Sequence, residues 1–383
     1  KKFNYKEAIE VEINENKLEE IQLSVKSTDL LYVLFTSGST GIPKGVTISH
    51  LAVIDLMEWM CGSYGFNENS VLCNQAPFFF DASVPDLYIP LRTGAACYIP
   101  PKSFYTFPKK ILNFIQEKEI NTLIWVPSAL CNVVNCKAFE VCIPITIKLV
   151  IFCGEVMPCK HLNVWRKYIP DALYVNMYGP TEATYACMYY NIERNFSNEE
   201  KLPLGRPCEN SSILLLGDDN QIVGTGEPGE ICILGQCLSQ GYYNAADKTE
   251  KAFVQNPTNN KYVELMYRTG DLAMVSETGE IFFVGRKDFQ VKRLGHRIEL
   301  GEIESAILSL DSIENACCIF NQETSYIVAF YTGTVEAGDL LQKIKVKLPQ
   351  YMLPNKIIEL ENMPMNLNGK VDRLRLEKEL MEE

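Results

Sequence analysis

Hydrophobic residues in the first two thirds of the chain form short continuous runs, separated by stretches with helical spacing. Each run has the length of a strand, and continuous hydrophobicity is typical of strands covered on both faces. The runs are residues 31–35, 95–99, 123–126 and 149–152. Between them, residues 109–119 place Ile111, Leu112 and Ile115 on one helix face. This alternation of strand and helix predicts parallel α/β layers.

A change of pattern near residue 208 predicts further units. Short strands punctuated by glycine follow at 212–216, 230–234 and 280–284. Beyond residue 287, Ile303, Ala306, Ile307 and Leu310 have the spacing of an amphipathic helix, and a strand follows at 326–331. We predict an α/β protein whose large N-terminal core (1–287) combines layered α/β sheets with a β-rich subdomain. A small, mobile α+β C-terminal domain (288–383) follows it.

Composition excludes several classes of protein. Of the 383 residues, 47% are hydrophobic and 22% are charged, which excludes a disordered chain and a small disulfide scaffold. The net charge of −12 argues against a nucleic-acid partner. No apolar run approaches the ~20 residues of a membrane-spanning helix, so no membrane insertion is expected. The 14 cysteines are scattered without a Cys-x-x-Cys pair, which favours a reducing, cytoplasmic location.

A loop rich in glycine and hydroxyl side chains follows the first predicted strand. Its sequence is Thr36-Ser-Gly-Ser-Thr-Gly-Ile-Pro-Lys-Gly45. Glycines let the backbone approach an anion closely, hydroxyls and N–H groups donate hydrogen bonds, and Lys44 adds a positive charge. The Walker A pattern Gly-x-x-x-x-Gly-Lys-[Ser/Thr] does not occur in the chain. The sequence therefore predicts a phosphate-binding loop of another kind.

This loop and seven later motifs resemble those of the adenylate-forming enzymes, which include acyl-CoA synthetases, luciferases and nonribosomal-peptide adenylation domains. The later motifs occur in the family's order. They are Phe80-Asp-Ala-Ser-Val84, Met177-Tyr-Gly-Pro-Thr-Glu182, Gly226-Glu-Pro-Gly-Glu230, Tyr267-Arg-Thr-Gly-Asp271, Gly285-Arg-Lys-Asp-Phe-Gln-Val-Lys292, Leu348-Pro-Gln-Tyr-Met-Leu-Pro354 and Asn368-Gly-Lys-Val-Asp372. Further strings, such as Asn74-Gln-Ala-Pro-Phe78 and Phe152-Cys-Gly-Glu-Val156, are most similar to ligases that load D-alanine onto a carrier protein.

The resemblance implies a binding site for ATP and Mg²⁺. Thr181 would contact the α-phosphate, Glu182 would hold Mg²⁺, and Lys370 would reach the bridging oxygen and the substrate carboxylate in the transition state. Asp271 would accept both ribose hydroxyls, and Arg286 would contact the ribose or a phosphate. Tyr178 would stack on adenine. The pyrophosphate side would be held by Thr36, Ser37, Gly38, Ser39, Thr40, Gly41 and Lys44.

The implied acyl substrate is a small amino acid. Asp81 lies in a largely uncharged stretch, and a partly buried carboxylate there needs a cationic partner such as an α-ammonium. The family pattern then places the side-chain pocket at Ala82, Pro85, Trp125, Ile151, Cys153, Met177, Tyr185 and Ala186. Bulky, uncharged residues among these favour alanine, glycine, serine or cysteine. The preference for D-alanine rests on the resemblance alone.

The resemblance also implies a second half-reaction with a thiol. The C-terminal domain would rotate about a hinge at Asp288 and bring Lys292 and Gly295 towards a pantetheine tunnel. No carrier motif follows Lys370, so we expect a phosphopantetheinyl carrier protein supplied in trans. Family members have a longer segment before the phosphate loop, so the N-terminal part of the core is expected to be missing.

Three alternatives remain open from the sequence. One is an acyl-CoA synthetase for a small carboxylic acid, against which Asp81 argues. Another is a nonribosomal-peptide adenylation domain for a small L-amino acid. The third is a non-catalytic binding module, against which the retained Glu182, Asp271 and Lys370 argue.

Overall fold

The computed structural model describes residues 12–36, 43–287, 290–310, 312–322, 324–365 and 371–382. The helices in these ranges are α1 (Glu15–Ser24), α2 (His50–Tyr64), α3 (Val84–Thr93), α4 (Lys102–Thr106), α5 (Pro108–Glu117), α6 (Pro127–Asn135), α7 (Cys159–Tyr168), α8 (Ala246–Ala252), α9 (Leu300–Leu308), α10 (Ala337–Lys345) and α11 (Arg373–Glu382). Short 3₁₀ turns include Asp81–Ser83 and Thr181–Ala183.

The strands in the described ranges belong to five sheets. They are β1 (Leu30–Thr36), β2 (Lys44–Ser49), β3 (Val71–Cys73), β4 (Ala96–Tyr98), β5 (Thr122–Trp125), β6 (Leu149–Cys153), β7 (Leu173–Tyr178), β8 (Met188–Asn191), β9 (Arg206–Pro207), β10 (Ser211–Leu216), β11 (Pro228–Gly235), β12 (Phe253–Gln255), β13 (Leu265–Val275), β14 (Ile281–Arg286), β15 (Gln290–Arg293), β16 (His296–Glu299), β17 (Ile313–Asn321), β18 (Tyr326–Gly333) and β19 (Lys356–Glu359).

A seven-stranded sheet forms the largest layer, in the order β4-β3-β5-β6-β7-β8-β9. The strands from β4 to β7 pair in parallel, whereas β8 and β9 are antiparallel. Every residue of β5 and β6 is buried, because a separate hydrophobic cluster covers each face of the sheet. The predicted α/β layers are thereby confirmed.

Helix α5 shows how the sequence pattern produces this layer. Ile111, Leu112 and Ile115 lie on one face of the helix and are at most 1% exposed. Burial of each such side chain contributes about 1.5–3 kcal/mol relative to exposure. The apolar face therefore fixes the helix against the sheet, and the helix lies close to its predicted range.

A second, antiparallel sheet follows in the chain. Its strand order is β10-β11-β13-β12, and β14 pairs with β13. The C-terminal part contains the β15–β16 hairpin and a three-stranded sheet, β17-β18-β19, packed with α9 and α10. Among the described residues, hydrophobic clusters lie either within 31–283 or within 291–380. The domain boundary near residue 288 stays a prediction.

Strand β1 differs from its predicted surroundings. Its hydrophobic run led us to expect a strand covered on both faces, but β1 pairs with β2 in an antiparallel two-stranded sheet. Leu30 and Phe35 are 44% and 62% exposed. The hydrophobic run predicted the strand correctly, but it did not predict which strands would lie beside it.

Within the described ranges, the helices are too short or too polar to cross a bilayer.

Candidate active site

The predicted amino-acid pocket lies where parallel strands β6 and β7 end. Ligands of α/β sheets commonly bind at such carboxyl ends. Asp81 begins a 3₁₀ turn beside this edge, and Pro85 is buried in the first turn of α3. The side chains that meet in one hydrophobic cluster are those of Ala82, Ile151, Cys153, Met177, Tyr185 and Ala186. None of these six carries a formal charge at neutral pH, as a pocket for a small uncharged side chain requires.

Asp81 introduces a carboxyl group into these apolar surroundings. Burial raises its pKa, while the neighbouring Thr181 and the positive charge of Lys292 lower it. A half-buried carboxylate in such surroundings is stabilised by a cationic partner. Thr181 belongs to the turn predicted to contact the α-phosphate, so the two predicted substrate positions are adjacent.

Trp125 does not join the other predicted pocket residues. Side chains alternate along β5, so Ile124 faces the cluster that contains Ile151, whereas Trp125 faces the opposite layer. The indole N–H donates to the Cys73 carbonyl at 3.0 Å, and the ring packs edge-on against Tyr105. In this structure Trp125 is a core residue.

Three predicted nucleotide-binding residues lie together. The Tyr178 hydroxyl donates to Oδ2 of Asp271 at 2.5 Å, and Arg286 donates to Oδ1 of the same carboxylate. Asp271 is 2% exposed, and burial raises the pKa of Tyr178 well above its ordinary value. The phenol therefore remains a hydrogen-bond donor, and Tyr178, Asp271 and Arg286 form a preassembled group.

Glu182 is fully buried at the centre of a second polar group. Its Oε2 accepts from Arg297 at 2.7 Å, and its Oε1 accepts from the Tyr242 hydroxyl at 2.8 Å. Burial alone raises the pKa of Glu182, but the charges of Arg297 and Lys44 and the Tyr242 hydroxyl outweigh it and lower the pKa to about 2. Lys44 also lies over the Tyr242 ring, 5.0 Å from its centroid. Glu182 is therefore a carboxylate at neutral pH.

The chemistry of Glu182 suits Mg²⁺, which prefers oxygen ligands and needs only one or two protein carboxylates when phosphates supply the rest. The described residues contain no cluster of three His, Cys, Asp or Glu side chains that could hold a metal unaided. In the present arrangement each Glu182 oxygen already accepts a hydrogen bond, one of them from the cation Arg297. Arg297 and Mg²⁺ would therefore compete for the same carboxylate.

The described ends of the predicted phosphate loop lie beside this polar group. Thr36 ends β1, and its buried hydroxyl has no hydrogen-bond partner within the described ranges. Lys44 begins β2, and burial together with Arg297 lowers its pKa. Ser37, Gly38, Ser39, Thr40 and Gly41 lie outside the described residues, as do Asp288 and Lys370.

The other residues predicted for the thiol reaction lie on the β15–β16 hairpin. Lys292 is on β15, with its Nζ 5.5 Å from the centre of the Tyr178 ring. Gly295 is at the turn, and His296 packs between the rings of Phe80 and Tyr351. The hairpin thus lies against the pocket residues.

Sequence analysis missed Arg297 and Tyr242. Arg297 is 115 residues from Glu182, and Tyr242 is 60 residues from it. No spacing links such distant positions. The buried acidic position of Glu182 was the one available signal, because a buried carboxylate needs partners.

Known proteins are similar to this chain in sequence and in fold. The AMP-binding enzyme family matches residues 3–243, and the AMP-binding enzyme C-terminal domain matches residues 302–370. Zwittermicin A synthase ZmaJ of Bacillus cereus is 34% identical over 94% of this chain and 70% of its own length. The D-alanine–D-alanyl carrier protein ligase of Bacillus licheniformis is 34% identical over 93% of this chain and 72% of its own.

A solved structure supports the fold. The Vibrio cholerae adenylation domain AlmE, in complex with glycyl-adenosine-5'-phosphate, is 24% identical and matches with a TM-score of 0.83, covering 96% of this chain and 69% of that one. Several other curated relatives are much longer, and the chain spans only 5–32% of their length. The predicted resemblance is confirmed: the chain belongs to the AMP-binding enzyme family and is an AMP-forming ligase of that family.

Proposed function

We propose that the protein activates a small uncharged amino acid with ATP and passes the aminoacyl group to the phosphopantetheine thiol of a separate carrier protein. The contact between Asp81 and Thr181 carries this proposal. An ammonium paired with Asp81 places the carboxylate of the same amino acid, one carbon further on, beside the predicted α-phosphate position. The two reacting groups would then be held next to each other.

In the proposed first reaction, a carboxylate oxygen of the amino acid attacks the α-phosphorus of ATP. A new P–O bond forms, the bond to the bridging oxygen breaks, and pyrophosphate leaves. Both reactants are anions, so the site must supply cations and oriented dipoles. Thr36 and Lys44 would face the departing pyrophosphate, and Lys370 would approach the bridging oxygen. Mg²⁺, when bound by Glu182, would neutralise phosphate charge.

On the nucleotide side, the group formed by Tyr178, Asp271 and Arg286 would bind the adenosine. Asp271 has two carboxylate oxygens with about four lone-pair sites, so it can accept from ribose hydroxyls as well as from its present donors. Tyr178 remains protonated and would present its ring to the base.

The substrate's side chain is proposed to be small because Met177 and Tyr185 occupy the pocket. Met177 is 2% and Tyr185 is 4% exposed. D-alanine is the favoured substrate, supported by the similarity to the D-alanine–D-alanyl carrier protein ligase. A small L-amino acid is the second candidate, because the volume of a pocket does not distinguish the two enantiomers of so small a substrate.

Amino-acid-dependent exchange of labelled pyrophosphate into ATP tests this proposal. The panel contains D- and L-alanine, glycine, D- and L-serine, cysteine, acetate and benzoate. We expect exchange with D-alanine above all others and none with acetate or benzoate. Preference for an L-amino acid would replace D-alanine but keep amino-acid activation. Exchange with acetate or benzoate alone would favour an acyl-CoA synthetase, and no exchange with any acid would refute the activity.

A further inference from the structure

A single carboxylate, that of Glu155, joins two distant parts of the chain. Glu155 lies just beyond β6, and its Oε2 accepts the backbone N–H of Ser128 at 2.9 Å. Its Oε1 accepts the backbone N–H of Gly295 at 2.7 Å. Ser128 is in the first turn of α6, whereas Gly295 is at the turn of the β15–β16 hairpin.

The contact with α6 holds the carboxylate in place. The first N–H groups of a helix have no partner within the helix, and its N-terminus attracts negative charge. Ser128 and Glu155 both belong to the core, so this hydrogen bond does not depend on the hairpin. The second oxygen of Glu155 is therefore a preoriented acceptor for an incoming N–H group.

The hairpin turn fits closely on this position. Leu294 and Gly295 both have positive φ, of 52° and 78°, which points the Gly295 N–H towards the core. A Cβ atom on Gly295 would lie 3.0 Å from Cγ1 of Val126, the residue just before α6. Val126 and Glu155 thus form a seat for the turn, and we call these two residues the hairpin seat.

The rest of the hairpin then reaches the active site from this fixed point. Lys292 lies over the Tyr178 ring, and Arg297 pairs with Glu182. These residues stand three positions before and two positions after Gly295. A displacement of the turn from its seat would therefore move both cations away from the pocket.

We propose that Glu155 is a positioning residue for thiol transfer, since it anchors the turn that carries Lys292 to the pocket. This inference rests on the proposed function. In the transfer, the thiol sulfur attacks the aminoacyl carbonyl carbon, a C–S bond forms, the C–O bond to AMP breaks, and the thiol proton passes to solvent. Glu155 touches neither reactant. It acts by holding the hairpin.

Glu155→Gln tests the positioning role of Glu155, because glutamine has nearly the same shape as glutamate. The amide has one acceptor oxygen, so its NH₂ group would face one of the two N–H donors and break that hydrogen bond. Hydrogen bonds to charged groups contribute about 1.5–3 kcal/mol, which corresponds to a loss of about ten- to a hundredfold in the docked population. Glu140→Gln, at an exposed acidic residue in a 3₁₀ turn, is the matched control.

Three measurements on the full chain test whether Glu155 positions the hairpin for thiol transfer. Pyrophosphate exchange reports amino-acid activation, single-turnover transfer to free pantetheine reports the thiol step, and hydrogen exchange of residues 290–299 reports docking. For Glu155→Gln we expect transfer to fall about ten- to a hundredfold, exchange of pyrophosphate to stay within about twofold, and hairpin amides to exchange faster. Glu155→Ala should behave alike, and Glu140→Gln should match the wild type.

Two results would overturn the positioning role. One is unchanged transfer with unchanged hydrogen exchange; the other is an equal loss of pyrophosphate exchange and transfer, which indicates general damage. If wild-type protein activates no amino acid, the proposed function fails, but hydrogen exchange of the hairpin still tests whether Glu155 anchors it.

Discussion

Replacement of Arg297 by glutamine should release the β15–β16 hairpin from the core. Arg297 is the main cation on Glu182, which is fully buried and has no exposed surface through which water could compensate. Removal of one partner from a buried ion pair leaves the other charge uncompensated, which typically costs about 3–5 kcal/mol. Undocking of the hairpin would expose Glu182 to water and so remove most of this free-energy penalty.

The pKa of Glu182 gives an independent magnitude. The pKa is about 2 in the docked state against an ordinary value of 4.5. A difference of ~2.5 units corresponds to about 3 kcal/mol. Arg297 makes the largest favourable contribution to it, and Lys44 and Tyr242 make smaller ones. Because the docked pKa is lowered, this stabilisation is complete above pH ~4.5 and is lost as the pH falls towards 2. The docked population at neutral pH should therefore fall by roughly a hundredfold in Arg297→Gln.

Hydrogen exchange of residues 290–299 measures this opening, with rates divided by the intrinsic rates at each pH. Wild type and Arg297→Gln are compared at pH 7 and pH 3. We expect the free energy of hairpin opening at pH 7 to be about 3 kcal/mol lower in Arg297→Gln than in the wild type. This difference should narrow at pH 3, where Glu182 takes up a proton on opening. Arg375→Gln is the matched control, since its pair with Glu379 is exposed and worth about 0.5 kcal/mol or less. A difference in opening free energy below about 1 kcal/mol at pH 7, or one unchanged at pH 3, would show that Arg297 does not hold the hairpin through Glu182.

Three further predictions concern individual residues. Lys370→Ala should lower adenylate formation by several orders of magnitude with little change in ATP affinity, because its contact forms in the transition state; equal losses in rapid-quench kinetics and calorimetry would contradict that role. Asp81→Asn should abolish amino-acid binding and leave ATP binding intact by calorimetry, and unchanged alanine affinity would disprove the ammonium contact. Burial raises the pKa of Asp86 from 3.8 to about 8, against a hydrogen bond from Asn74. Folding should therefore lose on the order of 5 kcal/mol as the pH rises from ~4 to ~8, and Asp86→Asn should remove that dependence in urea titrations; parallel curves for wild type and variant would contradict it.

The sequence predicted local elements well, because their information is local. Helix α5 follows from the spacing of Ile111, Leu112 and Ile115, and β6 follows from one uninterrupted hydrophobic run. Which strands pair with a given strand cannot be predicted from its local sequence, because pairing depends on the rest of the chain. For this reason β1 was recognised as a strand but placed in the wrong surroundings.

In the candidate site too, local motifs predicted some contacts, whereas others depend on the tertiary fold. Motifs placed Tyr178, Asp271 and Arg286 in one group, and the structure brings them into hydrogen-bond contact. Periodicity could also have shown that Trp125 and Ile124 face opposite layers, had β5 been registered against its neighbours. The pairing of Arg297 with Glu182 depends on how the hairpin docks, and no local pattern encodes that contact.

In the proposed reaction, Asp81 and Thr181 hold an amino acid against the α-phosphate of ATP. The most direct test is a single-turnover reaction of the purified protein with ATP and D-alanine, quenched and analysed by mass spectrometry. We expect alanyl-AMP and pyrophosphate in amounts that match the enzyme, and their loss in Asp81→Asn. Alanyl-AMP formed equally well by Asp81→Asn, or ADP and phosphate in place of an adenylate, would contradict it.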